Sequence, residues 1–337
     1  MTASPRRVTW SAQGGAGLTL AVLSAATFGT SGTFGSSLIA AGWSPAAAVI
    51  ARIALAAGIL TVPAMLQLRG RWAMLRRGGG RAAAYGLIAV AGAQLCYFNA
   101  IQRIPIGVAL LLEYLGVVLV VGWLWLRHGQ RPRRLTAIGG AAAITGLAFV
   151  LNLAGSVHIN AIGVMWGLLA AVGLAAYFLL SAAEASEPLP PIVMAWVGMC
   201  TGAATLATLG WLGVLPISYR AGDVVFLGHH VSWIVPVLGL SLVAAVISYV
   251  AGIGAARRLG AKVASFVGLA EVLFAILFAW LLLGQLPSPV QFLGGAFILA
   301  GVTLVRVDEL RGGPAREPAR PPEAPARVLA GARPARP

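Results

Sequence analysis

Two glutamates and one arginine of this chain stand inside long apolar stretches. Glu271 lies near the middle of the run 262–287, and Glu113 and Arg52 lie inside comparable runs. A charge in the hydrocarbon core of a bilayer costs on the order of 3 kcal/mol on insertion scales, so such a group is paired, protonated or exposed to an internal cavity. A cavity carboxylate could bind a cationic group or carry a proton. The alternative for each glutamate is a hydrogen bond between helices.

Arg52 is the one basic residue inside a predicted span, and three roles fit it. Its side chain could reach the membrane interface, pair with Glu113 or Glu271, or bind the carboxylate of a solute. Structural pairing is the favoured interpretation. Further candidates for binding a solute or a proton are polar residues inside other apolar runs: Gln94, Tyr97, Asn99 and Tyr249.

No pattern of catalytic or metal-binding residues accompanies these groups. The sequence contains no His-Glu-x-x-His motif and no glycine-rich phosphate loop with its lysine, and His229-His230 has no evident third ligand. Cys96 and Cys200 both fall inside apolar runs, where a thiol is usually a small buried side chain. We therefore predict no enzyme activity, no metal and no cofactor.

The composition explains why these side chains need special positions. The chain has 337 residues, of which 59% are hydrophobic and 10% are charged, whereas soluble domains are about 25% charged. A helix needs about 20 residues to cross a bilayer. Ten apolar segments satisfy this length: 17–40, 45–68, 81–101, 106–126, 135–153, 160–182, 190–215, 233–256, 262–283 and 289–305. The prediction is an all-α polytopic membrane protein.

The basic residues indicate the orientation of these segments. Arg103 and Arg220 lie in loops on one side and Arg52 lies inside a span, while the other 21 of the 24 Lys and Arg residues share the side of both termini. Positive loops face the cytoplasm. Both termini are therefore predicted to be cytoplasmic, with 1–16 as a polar lead and 308–337 as a disordered tail in the cytoplasm. The net charge of +15 resides in short loops and this tail, so nucleic acid is not an expected partner.

The chain also repeats itself at an offset of 155 residues. The matching pairs are Trp125 and Trp280, Gly129-Gln130 and Gly284-Gln285, Pro132 and Pro287, Gly139-Gly140 and Gly294-Gly295, and Gly146 and Gly301. Each half then contains five segments, and an odd number means that the halves enter the membrane in opposite directions. Glu113 aligns three residues before the equivalent of Glu271, which is nearly one helical turn. Each half therefore contributes one acid at a similar depth.

These features resemble the EamA-type carriers of the drug/metabolite transporter superfamily. The residues that carry the resemblance are Phe28-Gly29-Thr30, Pro45 with Arg52, Tyr97 to Ile101, Leu112 to Leu115, Ala264-Ser265, Glu271-Val272 and Trp280 to Gly284. The chain departs from the family where Gln130 and Gln285 replace a frequent Glu, and where Val117-Val118 replaces a frequent Pro. The resemblance implies ten transmembrane helices in two inverted five-helix EamA repeats, here 17–153 and 160–306.

The resemblance further implies a secondary active transporter of the cytoplasmic membrane. Such a carrier would export amino acids or other small metabolites or drugs by alternating access, with protons as a coupling ion. Its partners would be the lipid bilayer and a small-molecule substrate. The alternative is a membrane-embedded scaffold or lipid-handling protein without solute flux. Neither the composition nor the repeat identifies the substrate.

The predicted orientation can be tested with a reporter enzyme that is active only outside the cytoplasm. We expect no activity when the reporter follows Pro337, because the arginine-rich tail should stay in the cytoplasm. Insertion of the same reporter beside Arg220 is the control and should give activity. Activity after Pro337 would contradict the orientation.

Overall fold

The computed structural model describes residues 8–101, 103–104, 106–150, 160–183, 188–283 and 288–312. The first half contains α1 Val8–Gly29, α2 Ser31–Ala40, α3 Pro45–Leu68, α4 Trp72–Tyr85, a first π-helical segment Gly86–Gly92, α5 Ala93–Ile101, α6 Ile106–Tyr114, α7 Gly116–His128 and α8 Arg134–Val150. The second half contains α9 Ala161–Ala182, α10 Pro191–Trp211, β1 Asp223–Phe226, β2 His229–Ser232, α11 Ile234–Ser241, a second π-helical segment Leu242–Ile247, α12 Ser248–Gly268, α13 Ala270–Leu283 and α14 Pro289–Gly312.

The described chain is mostly helical, and many of its helices are suited to a bilayer. Seven helices are long and apolar enough to cross a membrane, and two shorter apolar helices span Arg134–Phe149 and Ala270–Leu282. Large apolar side chains such as Val62 and Leu66 are exposed on the outside of the bundle, as lipid contact requires. These findings show a polytopic helical membrane protein, while the count of ten spans stays a prediction.

The first predicted segment, 17–40, is two helices rather than one. Helix α1 already begins at Val8, inside the predicted polar lead, and ends at Gly29. The break follows from Thr30, whose hydroxyl donates to the Thr27 carbonyl at 2.6 Å and competes with the helical ladder. Helix α2 then continues with small residues from Ser31.

The predicted tail also begins as helix. Helix α14 continues to Gly312, so 308–312 is helical rather than disordered, and the rest of the predicted tail lies outside the described residues. Asp308 is buried on this last turn and accepts a hydrogen bond from the Thr136 hydroxyl of α8. This contact ties the end of α14 to the start of α8.

The segments that carry the two acids are each interrupted near the acid. Leu115 separates α6 from α7 and Leu269 separates α12 from α13, and both residues adopt tight helical turns. The Leu115 amide bonds to the Leu112 carbonyl at 3.1 Å, and the Leu269 amide bonds to the Phe266 carbonyl at 3.1 Å, which are three-residue rather than four-residue steps. No proline is needed for either interruption.

A kink at Gly260 joins the predicted segments 233–256 and 262–283. Gly260 has φ 77°, a left-handed conformation that glycine adopts readily, and helix continues on both sides of it. The predicted loop between these segments is therefore a single kinked residue.

The two π-helical segments occupy equivalent places in the repeat. An offset of 155 residues moves Gly86–Gly92 onto 241–247, and the second π segment is Leu242–Ile247. A π turn holds one extra residue, which rotates the following side chains relative to a regular helix. Both halves therefore reorient the helix at the same point.

Helices α8 and α14 form the most extensive contact between described elements. Gly139 lies against the Gly301 carbonyl, and Gly146 lies against the Gly294 carbonyl. The offset of 155 residues exchanges these two contacts, because it moves Gly139 onto Gly294 and Gly146 onto Gly301. The helices thus cross antiparallel about a local two-fold axis, which is the geometry expected of halves with opposite direction.

A small hairpin, which was not predicted from the sequence, lies in the long connection before α11. Strands β1 and β2 pair antiparallel around Leu227-Gly228, where both residues have positive φ, the geometry of a tight two-residue turn. Phe226 stacks on Phe34 of α2 with ring centroids 5.4 Å apart. The hairpin therefore packs on the second half of the first segment.

We expect Gly146→Ala to destabilise the bundle by about 1–3 kcal/mol, because the added methyl group would lie 2.7 Å from Phe297 Cβ and force α8 and α14 apart. Thermal unfolding of the detergent-purified protein measures this. Gly122→Ala on α7 is the control, since nothing lies within 4 Å of the new methyl group. A fall in stability that is equal in both variants would contradict the packing argument.

Candidate functional site

A cavity of about 460 Å³ lies between helices of the two halves. Six of the seven predicted site residues line it: Arg52, Gln94, Tyr97, Glu113, Tyr249 and Glu271. Asn99 is not among the lining residues, because its amide donates to the Leu95 carbonyl at 2.9 Å and its carbonyl oxygen faces Arg103. The structure therefore brings together residues from both halves that are up to 219 positions apart in sequence.

Glu271 reaches the cavity because α13 approaches α1 closely. It lies in the first turn of α13, just after the interruption at Leu269. Gly29 permits the approach, since a methyl group there would lie 2.8 Å from Phe274 Cβ and 3.0 Å from the Glu271 carbonyl oxygen. Tyr114 faces the Glu271 carboxylate closely enough for its hydroxyl to donate a hydrogen bond.

Glu113 lines the same cavity from the first half. It lies at the end of α6, two residues before the interruption at Leu115. Like Glu271 it is half-buried, so each carboxylate keeps part of its surface open to the cavity. The two carboxylates are near enough to repel each other when both are charged. The start of a helix favours a carboxylate and the end of a helix disfavours it, so the two acids are not equivalent.

Arg52 does not form the expected ion pair. Within the described residues no salt bridge joins it to Glu113 or Glu271. Its guanidinium instead donates to the Ala244 carbonyl in the second π segment and lies over the Phe28 ring, 5.7 Å from the centroid. Its Nε is buried without a hydrogen-bond partner in the described chain. The guanidinium is thus held at the cavity wall with its buried Nε–H unsatisfied, and Glu271 is near enough to act on it electrostatically without forming a salt bridge.

Gln94 and Tyr249 are equivalent positions of the repeat, and each follows a π-helical segment by two residues. Their side chains face each other closely enough for a hydrogen bond. The extra residue of each π turn directs these side chains inward, where a regular helix would present a neighbouring residue. The two halves therefore meet at this pair.

Aromatic rings form the apolar wall of the cavity. Phe28 packs edge-on against Tyr249 at 5.0 Å and against Tyr177 at 6.4 Å. Tyr177 and Tyr249 are themselves 5.7 Å apart with nearly perpendicular rings. Gly252 leaves the space for the Tyr177 hydroxyl beside Ser24. Ring faces and carboxylates together suit a ligand with an apolar body and a cationic group.

Phe28, Tyr114 and Tyr177 were not singled out as cavity residues from the sequence. Phe28 and Tyr114 belong to the motifs that carry the family resemblance, and Tyr177 lies outside those motifs. A tyrosine in the C-terminal half of the apolar helix α9 was an available signal, because a buried tyrosine hydroxyl usually has a hydrogen-bond partner.

The ionisable groups of the cavity do not form a metal centre. Among the described residues, no three His, Cys, Asp or Glu side chains come together as metal ligands. His229 and His230 lie on β2, with exposed side chains. What the cavity offers is two carboxylates, one guanidinium and an aromatic wall.

The fold and the cavity define a class: a multi-pass membrane protein with a polar cavity between the halves of a repeat. The model of the EamA-like transporter family matches this chain twice, over residues 15–152 and 161–307. The chain therefore belongs to the EamA-like transporter family and is a membrane transporter. This confirms the resemblance seen in its sequence.

Individual relatives agree with this family. An uncharacterized inner membrane transporter, YicL of Salmonella typhimurium strain LT2, is 24% identical over 234 residues, which are 67% of this chain and 73% of the relative. A solved crystal structure superposes with a TM-score of 0.71 at 19% identity, covering 89% of this chain and 99% of the other. The structural likeness supports the fold alone.

Replacing Arg52 with Met tests whether it is a structural partner of the acids. We expect a change in unfolding free energy within about 1 kcal/mol, because an apolar side chain can replace a buried cation that has no ion-pair partner. Thermal unfolding in detergent measures this. A loss of about 3–5 kcal/mol, typical of breaking a buried pair, would show that Arg52 neutralises Glu113 or Glu271. Arg52→Lys, which keeps the charge, is the control.

Proposed function

We propose that this protein is a secondary active carrier of the inner (cytoplasmic) membrane that exports amino acids or other small metabolites or drugs by alternating access. Ten spans in two inverted five-helix repeats, with both termini in the cytoplasm, form its frame. The antiparallel contact of α8 and α14 and the matched π segments support this frame. The similarity to YicL, an inner membrane transporter, supports the location.

The observation that carries the proposal is that ionisable groups from both halves line one cavity. With both acids ionised, the two carboxylates outnumber the single guanidinium by one charge. An uncompensated charge is costly inside the membrane. A proton or a cationic group of the solute supplies the missing positive charge, and the cavity is therefore stable when it holds one or the other.

This competition provides coupling to protons. A cationic solute and protons bind to the same carboxylates, Glu113 and Glu271, so protonation releases the solute. When the cavity opens outward, protons arriving from outside displace the solute to that side. When it opens inward, protons leave to the cytoplasm and a new solute binds. The proton gradient thus drives export.

Arg52 gives the cavity a site for a negative group of the solute. Its guanidinium lines the cavity and is well suited to binding a carboxylate. A solute with an amino and a carboxyl group then satisfies both Arg52 and the glutamates. The aromatic wall contacts the rest of the solute.

Growth inhibition by metabolites and drugs, compared between cells that overproduce different variants, tests the role of Glu271. We expect the wild type to protect against its substrate and Glu271→Gln to protect no better than cells without the protein, because an amide neither releases a proton nor attracts a cation. Protein levels in the membrane should be equal.

Asp223→Asn is the matched control, since this carboxylate is exposed on β1 outside the cavity and its loss should leave protection intact. Full protection of cells by the Glu271→Gln variant would contradict the proposal that Glu271 carries a proton. If no compound in a broad panel distinguishes the wild type from empty cells, a scaffold or lipid-handling protein without solute flux is the better account.

A further inference from the structure

Two neighbouring helices are interrupted at the same level beside the central cavity. Helix α1 ends at Gly29 before α2 begins at Ser31, and α11 passes into the second π-helical segment, Leu242–Ile247, before α12 begins. Helix α1 packs against this π segment, so the two interruptions lie side by side. A helix bends most readily where its regular hydrogen-bond ladder is interrupted. The two interruptions are therefore suited to act as a pair of hinges.

On one side of these hinges the chain forms a packed group, here called the hairpin unit, which consists of α2, α11, the β1–β2 hairpin and the turn between α2 and α3. Phe34 of α2 lies against Gly239 of α11 and stacks on Phe226 of the hairpin. Leu38 of α2 is fully buried in a cluster with Val237 of α11. These contacts favour movement of the unit as one body.

Three hydrogen bonds fasten the connection before the hairpin to the turn between α2 and α3. The Ser44 amide donates to the Ser218 carbonyl at 2.8 Å, and the Ser218 amide donates to the Ser44 hydroxyl at 3.0 Å. The Trp43 indole donates to the Arg220 carbonyl at 2.9 Å. The turn belongs to the first half of the chain and the connection to the second. The hairpin unit therefore joins both halves.

On the other side of the hinges, α1 and α12 are held together. The Ser24 hydroxyl donates to the Ser248 carbonyl at 2.8 Å. A methyl group at Gly17 would lie 2.9 Å from Arg258 Cβ, so the two helices also touch further along. Each side of the hinges is thus firmly packed, and bending is easiest at the interruptions between them.

Arg52 connects the two hinges. It lies on α3, which begins beside the turn of the hairpin unit and continues without a break past the level of the hinges. Its guanidinium donates to the carbonyl of Ala244 in the π segment and lies over the ring of Phe28, the residue before Gly29. A tilt of α3 together with the hairpin unit must therefore disturb both contacts.

The hairpin unit has room to move toward the cavity. Gly32 and Gly35 of α2 line the cavity, and nothing lies within 4 Å of a methyl group added to either of them. The wall contributed by α5 and α6 includes Tyr97, Phe98 and Leu110. An inward turn of the unit would bring α2 toward this wall and narrow the cavity.

We propose that the hairpin unit is a gate of the central cavity, that the two helix interruptions are its hinges, and that Arg52 is the latch that holds it open. A solute carboxylate that binds the Arg52 guanidinium competes with the Ala244 carbonyl, so the latch is released and the gate closes over an occupied cavity. This trigger rests on the proposed transport function, whereas the hinges and the latch do not. The predicted orientation places the gate on the extracytoplasmic side.

Distances between two spin labels on the detergent-purified full chain, measured by double electron–electron resonance without any solute, test the latch. Cys96 and Cys200 are replaced by Ala. One label is attached to a cysteine at His230, exposed on the hairpin, and the other to a cysteine at Ile162, exposed at the start of α9, which packs on α5 and α6. We expect Arg52→Met to raise the population with the shorter distance by about tenfold, because loss of a hydrogen bond from a charged group shifts an equilibrium by about this factor.

Filling the space in front of the gate should reverse this change. The double variant Arg52→Met/Gly35→Leu should lack the shorter population, because leucine occupies the space into which α2 closes. Gly58→Leu is the matched control in the same background, since Gly58 of α3 has nothing within 4 Å of an added methyl group and does not line the cavity. It should keep the shorter population. If Arg52→Met does not fold, Phe28→Leu replaces it, because it removes the ring beneath the guanidinium and should give a smaller change of the same sign.

A second pair of labels, at Ile162 and Leu293, reports on the rest of the bundle. Leu293 is exposed on α14, outside the hairpin unit, so this distance should stay constant in every variant. An unchanged distance between His230 and Ile162 after loss of the latch would overturn the proposal. A change that the second pair shares, or one that Gly35→Leu and Gly58→Leu affect equally, would also overturn it.

These distances are separate from the test of transport. If they change as expected while Glu271→Gln still protects cells, the gate is supported and the proposed coupling fails. If they do not change while Glu271→Gln abolishes protection, the carrier is supported and the gate is overturned.

Discussion

The structure depends on how an apolar bundle accommodates charge. Glu113, Glu271 and Arg52 are stable inside a membrane only where a cavity or a polar neighbour replaces water. The features around the cavity serve this need. Gly29 lets α13 approach α1, the interruptions at Leu115 and Leu269 lie next to the acids, and the π segments direct polar side chains inward.

The two-fold relation of the halves supports the proposal that the cavity changes its access. The contacts at Gly139 and Gly146 are exchanged by the repeat, so the halves meet through equivalent surfaces. Two equivalent halves can pack in two arrangements, one the inverted image of the other, in which the opening lies on opposite sides. The site itself is less symmetric, because Gln94 corresponds to Tyr249 and the two acids sit at opposite ends of their helices.

Much of this could be predicted from the sequence, and the reason is physical. The lengths of the apolar segments predicted most of the helices. The rare residues Trp, Gln and Pro, which recur at the same offset, indicated the repeat. The search for charged and polar residues inside apolar runs correctly identified six of the residues that line the cavity. Each of these signals can be read from residue types and their spacing along the chain.

The other features depend on contacts that the sequence does not display. The expected ion pair between Arg52 and an acid is not formed, because the guanidinium instead donates to the Ala244 carbonyl and lies over the Phe28 ring, contacts that depend on the packing of α3. Asn99 points away from the cavity because it bonds to its own helix. The π segments and the packing of the hairpin on α2 also depend on tertiary contacts.

The central claim is that the cavity opens alternately to each side of the membrane. The most direct test places a single cysteine at Gly32, which lines the cavity and has space for a side chain, in a chain whose Cys96 and Cys200 are replaced by Ala. A membrane-impermeant maleimide is then added to vesicles of either orientation. Alternating access predicts labelling from both sides, with the ratio changed by a substrate or a pH gradient, whereas labelling from one side only under every condition would contradict it.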